Sequence, residues 1–271
     1  MEIASSALFP SLGKCIYCPN TDGLTDEHTI PLCLGGNQVI VDGSCKECQK
    51  ATHAIEGHVC GRMFKALRVH HKIPTRRPKD RPTHLVVLDG TSPHDANPRQ
   101  ISVEEAPGVV VFPIFSQPTV IAGGPPRLLS FLSYSTTENA RERISKLRTV
   151  EGFSNVLTYI DFNPSRFGRV LAKIAHAIAV AVFGNQVQSE LAPLILDRHG
   201  NPFSHVGCGF PTILPAPTPN TLHQVGTDTV DINGVKYLFV QLRLFGYLGS
   251  PHGESSVWPP EYSILVGRFL N

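Results

Sequence analysis

The sequence has few charges and almost no bias of sign, and both features limit what the chain could do. Only 17% of its 271 residues are charged, and 24 Lys and Arg against 22 Asp and Glu leave a formal net charge of +2. Such a chain does not act as a polycation, so any affinity for nucleic acid must come from local patches. Its 41% of hydrophobic residues provide enough apolar material for a packed core, which argues against disorder.

Long apolar runs are also missing from the sequence. The longest, residues 174–183, contains His176 and is about half of the ~20 residues that a membrane span needs. The first residues include an acid and no basic segment ahead of a long apolar run, so they do not resemble a secretory signal. We therefore expect a cytoplasmic protein without a membrane partner.

Cysteine is scarce over most of the chain and concentrated near its N-terminus. Four of the seven cysteines form two C-x-x-C pairs, at Cys15/Cys18 and Cys45/Cys48. Two such pairs are typical of a structural, tetrahedral Zn²⁺ site, which leaves no open position on the metal. The alternative is four buried thiols that pack as small hydrophobes. In a reducing compartment the remaining cysteines are expected to be unpaired buried thiols: Cys33, Cys60 and Cys208.

The composition changes along the chain and predicts an α+β protein with two regions. Residues 1–71 are rich in Cys, His and charge, whereas residues 85–271 are rich in proline, aliphatic and β-branched residues. Between them, residues 72–84 contain three prolines and five Lys or Arg residues. Because proline disfavours helix and these charges are costly to bury, we expect an exposed, extended basic connector.

Apolar spacing predicts the secondary structure of both regions. In the first region we expect the order strand, loop, strand, helix, with the helix over 46–69 and a break at Gly57 or Gly61. The second region is predicted to be β-rich, with one buried helix over 164–184 and one exposed helix over 137–148. Its predicted strands are 85–88, 109–114, 120–122, 157–160, 235–244 and 263–269.

Two further motifs lie between the C-x-x-C pairs. They are Leu-Thr-Asp-Glu-His-Thr-Ile-Pro at 24–31 and Leu-Gly-Gly at 34–36. Together with the cysteines, over about residues 14–58, they resemble the HNH endonuclease family. The resemblance implies a small zinc-stapled ββα-metal module and metal-dependent hydrolysis of a nucleic-acid phosphodiester. It also suggests restriction, anti-phage defence or a mobile element as the biological setting, by analogy alone.

The same resemblance assigns roles to residues of the first strand and the following turn. His28 matches the family's general base, which takes a proton from water, and imidazole suits this role because it titrates near neutrality. Glu27 matches the adjacent metal ligand, and a carboxylate site of this kind fits Mg²⁺ or Mn²⁺. Asn37 is the candidate for the asparagine that orients the base.

The helix after the second C-x-x-C pair departs from the family pattern. Gln49 stands where the family has His or Asn. His53 lies four residues further on the same helical face. Some members of the family have a metal-binding His at that position, so the resemblance implies that His53 binds the catalytic metal instead. Glu56, one turn beyond His53, would be a further ligand or would support His53 by hydrogen bonding. The sequence does not separate these two roles for Glu56.

Basic residues of the connector are candidates for substrate binding, since each contact with a phosphate adds a salt-sensitive, sequence-independent increment of affinity. The alternative is a solvated linker. The candidates are Arg76, Arg77, Lys79 and Arg81.

The resemblance thus implies a DNA endonuclease, and the sequence leaves RNA open as a substrate. One alternative is a zinc-dependent module that binds nucleic acid or protein without cutting. Another is a nuclease active only in a larger complex. A single module of this kind cuts one strand, so cleavage of both strands would call for a homodimer or two successive events.

Overall fold

The computed structural model describes residues 7–75, 77–209, 214–248 and 257–270. Within these ranges the chain is α+β, as predicted. The strands are β1 Leu8–Phe9, β2 Leu24–His28, β3 Val39–Cys45, β4 His84–Asp89, β5 Asn97–Ser102, β6 Val109–Phe115, β7 Leu128–Ser135, β8 Val156–Leu157, β9 Val187–Ser189, β10 Val206–Cys208, β11 His223–Ile232, β12 Val235–Leu244 and β13 Glu261–Phe269. The helices are α1 Lys46–His58, α2 Lys65–His70, α3 Thr119–Ala122, α4 Ala140–Thr149, α5 Pro164–Phe183 and α6 Leu191–Leu196.

The N-terminal part has the predicted order of strand, loop, strand and helix. Strands β2 and β3 pair antiparallel, and β1 adds to the far side of β3 in parallel. Helix α1 begins directly after β3. The predicted long helix is interrupted by a π-helical turn, Val59–Met63, which contains Gly61 and separates α1 from α2. The prediction of a break at one of the two glycines is therefore confirmed.

Helix α5 forms the centre of the molecule. The Asn163 side chain accepts a hydrogen bond from the Arg166 backbone N–H, and Pro164 occupies the first turn, where no donor is lost. Every residue over 167–179 is buried. The helix is long and apolar enough to cross a bilayer, but 72% of its most apolar window lies inside the fold. This is the burial expected of a core helix.

A five-stranded sheet packs against α5 and supplies much of the apolar core. Its strands run in the order β10, β13, β12 and β11, and β9 pairs with the far end of β13. The predicted strands at 235–244 and 263–269 are confirmed. The main cluster of buried apolar side chains spans both predicted regions, for example Ile55, Phe64, Ile174 and Leu238.

Several predicted elements of the second region differ from the structure. Residues 120–122 belong to α3 and not to a strand, because the Pro118 carbonyl accepts from the backbone N–H groups of Ile121 and Ala122 and closes a helical turn. Of the strand predicted at 157–160, only Leu157 lies in a strand, β8. The exposed helix is α4, and it begins three residues later than predicted. Strands β5, β7 and β11 were not predicted.

The connector between the regions is folded back and not extended along its whole length. A 3-10 turn covers Pro78–Asp80, and the Arg81 guanidinium donates 3.2 and 2.8 Å hydrogen bonds to the carbonyls of Lys72 and Ile73. Arg76 lies outside the described residues. These two hydrogen bonds hold the end of the proline-rich segment against its beginning, so the segment folds back on itself.

A buried histidine joins α5 to the first C-x-x-C segment. His176 is 3% exposed, and its Nε2–H donates to the Ile16 carbonyl at 2.7 Å. Its Nδ1 accepts from the Ser189 hydroxyl, also at 2.7 Å, and its ring stacks on Tyr17. Burial lowers the pKa of His176 to about 4, so the neutral ring is the folded form. The expectation from sequence that His176 is a hydrogen-bonded core histidine is confirmed.

This neutral histidine predicts a loss of stability in mild acid. The unfolded chain binds a proton near pH 6.5, whereas the folded ring does so only near pH 4. Stability contributed by the neutral ring is therefore lost as the pH falls through this window. Between pH 7.5 and 5 the loss from this group is roughly 2 kcal/mol. Urea unfolding of the wild type and of His176→Gln at both pH values should give a smaller pH dependence in the variant. Equal pH dependence would contradict the prediction.

Candidate metal centre and active-site cleft

The four cysteines of the two C-x-x-C pairs come together at one end of the N-terminal sheet. Their sulfurs all lie within 4.8 Å of one another, and Cys15, Cys45 and Cys48 are buried. Cys18 Sγ is 3.7 Å from Cys45 Sγ and 3.5 Å from Cys48 Sγ. A tetrahedron with metal–sulfur bonds of about 2.3 Å has edges of about 3.8 Å. The cluster could therefore hold a metal ion, and its spacing and soft donors fit zinc.

The cluster is positioned by β3 and α1. Cys45 ends β3 and precedes the first turn of α1, so that Cys48 lies one turn further along. Burial opposes ionisation of Cys45, but hydrogen bonds from the Cys48 backbone N–H and from neighbouring thiols lower its pKa to about 6. In contrast, burial and the neighbouring sulfurs raise the pKa of Cys48. A bound metal ion would neutralise the charge that the ionised sulfurs would otherwise share.

A cleft of about 500 Å³ lies beside this sheet and receives most of the predicted catalytic residues. Its lining comes from β2 and the turn that follows it, from α1, the π-helical turn and α2, from the connector and from one residue of α5. The predicted residues in the lining are Glu27, His28, Gln49, His53, Glu56, Arg77 and Arg81.

Glu27 and His28 lie at the end of β2. His28 pairs with Val39 and Glu27 with Ile40, after an irregularity at Asp26. The backbone of Gly43 comes so close that a β-carbon there would lie 2.8 Å from the β-carbon of Glu27. Glycine at this position therefore allows β3 to approach the buried Glu27 side chain.

The residues predicted on α1 have different environments. The Gln49 side-chain amide donates to the Thr25 hydroxyl at 3.0 Å. His53 is exposed and faces the cleft, whereas the Glu56 side chain is 15% exposed. In the described part of the chain, the cysteines are the one group of three or more His, Cys, Asp or Glu side chains whose ligand atoms all approach within 4.8 Å. Glu27, His53 and Glu56 do not form such a group.

A lysine from the core helix occupies the acidic floor of the cleft. The Lys173 ammonium, whose side chain is 0% exposed, lies 2.6 Å from Glu27 Oε1 and 3.2 Å from Glu56 Oε1. It also donates to the His28 carbonyl at 2.5 Å. Burial on its own would lower the pKa of Lys173, but the two carboxylates outweigh this effect and raise it. The ammonium is therefore charged.

This ion-pair cluster affects whether the site can bind the divalent cation that the family resemblance implies. The carboxylates expected to bind Mg²⁺ or Mn²⁺ are already compensated by an ammonium, and His53 is not gathered with them. The residues present therefore do not fit a divalent ion held jointly by Glu27 and Glu56. Sequence reasoning did not include Lys173 in the site.

Basic residues also line the cleft. Arg77 is exposed, and Arg81 is partly buried against the connector carbonyls. Lys65 and Arg68 of α2 also face the cleft, and Arg68 donates to the Cys60 carbonyl at 3.0 Å. Of the other predicted substrate-binding residues, Lys79 lies on the 3-10 turn of the connector, away from the cleft lining.

Asn37 lies outside the cleft lining, in the partly buried turn that precedes β3. It is two residues before Val39, the partner of His28 in the sheet. The structure therefore brings Asn37 near the end of β2 through the pairing of the strands. Its predicted role of orienting His28 stays a prediction.

The expectation that Cys33 and Cys60 are unpaired is wrong, because they form a disulfide with Cα atoms 6.0 Å apart. Cys33 belongs to the 3-10 turn after β2, and Cys60 to the π-helical turn after α1. Both line the cleft. The bond therefore ties together the two elements that carry His28 and His53. Cys208 is a free cysteine, as predicted.

Comparison of the chain with protein-family models, with curated proteins and with solved structures finds no match in any of the three. The site is therefore interpreted from its own residues. The four-cysteine cluster establishes a candidate metal centre, and the cleft establishes a second site with acidic, basic and imidazole groups close together.

The cysteine cluster predicts that each chain binds one Zn²⁺ ion and that each of the four cysteines is needed to bind it. Cys48→Ser should lower bound zinc well below one ion per chain and lower the melting temperature, because a structural zinc contributes its binding free energy to folding. Metal content by mass spectrometry and thermal unfolding check this result. Cys208→Ser is the matched control and should keep both values. Full zinc content in Cys48→Ser would argue that the four thiols simply pack as apolar groups.

The disulfide is expected to stabilise the fold independently of the zinc site. It links residues 27 positions apart, and a loop of this length is worth about 3 kcal/mol. The double variant Cys33→Ser/Cys60→Ser should lose about this much free energy of unfolding in urea and should keep its zinc. Intact mass under non-reducing conditions should show two hydrogens fewer in the wild type than in its reduced form. An unchanged mass on reduction would contradict the bond.

Proposed function

We propose that the protein is an HNH-type endonuclease that hydrolyses phosphodiester bonds of DNA in this cleft. The observation that carries the proposal is that His28 and Glu27, at the end of β2, line a cleft that is also lined by basic residues. A polyanionic substrate is attracted by such a surface. RNA is a second substrate class that the same chemistry accepts.

In the proposed reaction His28 takes a proton from water, and the resulting hydroxide attacks phosphorus. The bond from phosphorus to the leaving oxygen breaks, and that oxygen gains a proton from solvent, so the products are a phosphate monoester and a hydroxyl group. The guanidinium groups of Arg68, Arg77 and Arg81 would bind the phosphate oxygens and stabilise charge that develops on them.

The proposal includes structural Zn²⁺ at the cysteine cluster. It further includes cleavage of both strands by a homodimer or by two successive events. Cytoplasmic location stays a prediction from the sequence, and the disulfide argues against a reducing compartment. The Mg²⁺ or Mn²⁺ that the family resemblance implies stays a prediction of that resemblance. Restriction, anti-phage defence or a mobile element is the proposed setting, again by analogy.

Substitution of the general base gives the direct test. Zinc-loaded wild type and His28→Ala should be incubated with supercoiled plasmid and with RNA, in Mg²⁺, in Mn²⁺ and without divalent ions. Because a general base contributes on the order of 10²–10⁴-fold, His28→Ala should lower the cleavage rate at least 100-fold. His94→Ala removes an exposed imidazole outside the cleft lining and should cut like the wild type. Equal cleavage by wild type and His28→Ala would overturn the assignment.

A second candidate function is a zinc-dependent binding module that does not cut. Two observations favour it: the Gln49 amide is held by Thr25, and His53 is not gathered with Glu27. Such a module should bind nucleic acid or protein equally well after His28→Ala. A nuclease that is active only in a larger complex would instead be silent when purified, yet would lose its cellular effect in that variant.

A further inference from the structure

We propose that Lys173 is a built-in cation that takes the place of a divalent ion at Glu27 and Glu56 and positions His28 for its reaction. The juxtaposition that carries this inference is the Lys173 ammonium between the two carboxylates and the His28 carbonyl. The claim that Lys173 positions His28 rests on the proposed function. The claim that Lys173 takes the place of a divalent ion does not.

The contacts of Lys173 satisfy its hydrogen-bonding capacity. An ammonium has three N–H donors, and Glu27, Glu56 and the His28 carbonyl provide three acceptors at 2.6, 3.2 and 2.5 Å. The side chain is fully buried. A buried charge is tolerated when it is paired and hydrogen-bonded in this way. The lysine is thus a fixed part of the site.

A divalent ion at the same carboxylates would meet strong repulsion. Mg²⁺ requires oxygens at about 2.0–2.1 Å, so an ion bound at the two Oε1 atoms would lie within a few ångströms of the ammonium. The repulsion is strong because the surroundings are buried and the local dielectric constant is low. With Lys173 present, these two acids therefore do not bind a divalent ion tightly.

The same ammonium connects the candidate base to the core. His28 is the last residue of β2, and Lys173 lies 145 residues away in the sequence on the buried helix α5. Its bond to the His28 carbonyl and its pair with the adjacent Glu27 fix two successive residues of the strand. Because the ammonium is buried, it acts through His28 and does not touch substrate.

Removal of the lysine charge should convert the acidic floor into a cation site. Zinc-loaded protein freed of other divalent ions should be titrated with Mn²⁺ and followed by electron paramagnetic resonance. We expect the wild type to bind no tight Mn²⁺ at this place. Lys173→Met should gain one Mn²⁺ per chain, with affinity raised by at least about tenfold, because two carboxylates lose their compensating charge.

Matched variants separate this effect from unfolding. Lys173→Arg keeps the charge and should not gain the Mn²⁺ site. Lys173→Met/Glu27→Gln/Glu56→Gln lacks the carboxylates and should lose it again. Circular dichroism and zinc content show whether each variant is folded. If Lys173→Met does not fold, the wild-type titration still decides the charge proposal.

Two results would overturn the inference. One is tight Mn²⁺ binding by the wild type that disappears in Glu27→Gln or Glu56→Gln. The other is cleavage by the wild type that requires a divalent ion. We expect instead that plasmid cleavage persists without divalent ions while zinc is retained, and that it falls in Lys173→Met. Absence of cleavage under every condition would refute cleavage by the isolated protein, whereas the Mn²⁺ titration would still test the built-in cation.

Discussion

The ion-pair cluster of Lys173 is the constraint on which the geometry of the cleft depends. It is the point where the core helix α5 meets the strand that carries Glu27 and His28. A buried ammonium without partners would be strongly destabilising, as would the buried Glu27 carboxylate without a cation. The strand, helix α1 and helix α5 must therefore adopt this relative position for the fold to be stable.

A second contact on the same helix extends this constraint to the cysteine cluster. His176, one turn after Lys173, donates to the carbonyl of Ile16, which lies between the first two cysteines. The side of α5 that bears Lys173 and His176 thus contacts both the candidate metal centre and the floor of the cleft. The disulfide adds a third connection between the walls of the cleft. These contacts therefore connect the candidate metal centre to the cleft.

Local sequence signals predicted the parts of the site that lie close together in the chain. The two C-x-x-C pairs, the strand ending at His28 and the helix after Cys45 could all be read from spacing and turn chemistry. Helix α5 could also be predicted from the sequence, because it begins at a proline and is apolar over most of its length. These features depend on backbone preference and on contacts over short sequence distances, which a single sequence records directly.

The parts that sequence reasoning missed depend on contacts between distant residues. Pairing of Cys33 with Cys60 requires the turn after β2 to meet the turn after α1, and nothing in the local pattern of either residue indicates this. Lys173 did carry a signal, since a lysine in a helix that is apolar almost all round needs buried partners. The sequence does not say that those partners are Glu27 and Glu56. Strand β11 was missed because its polar alternating residues resemble a loop.

The charge distribution of the cleft also indicates where a phosphate would bind in the proposed reaction. The floor holds two carboxylates and one ammonium, so its net charge is negative and it repels an anion. The rim holds Lys65, Arg77 and Arg81, of which Arg77 is exposed. A phosphodiester should therefore bind near these basic residues, which line the same cleft as His28 and His53. Lys173 then limits repulsion from the floor without contacting the substrate, which is consistent with its complete burial.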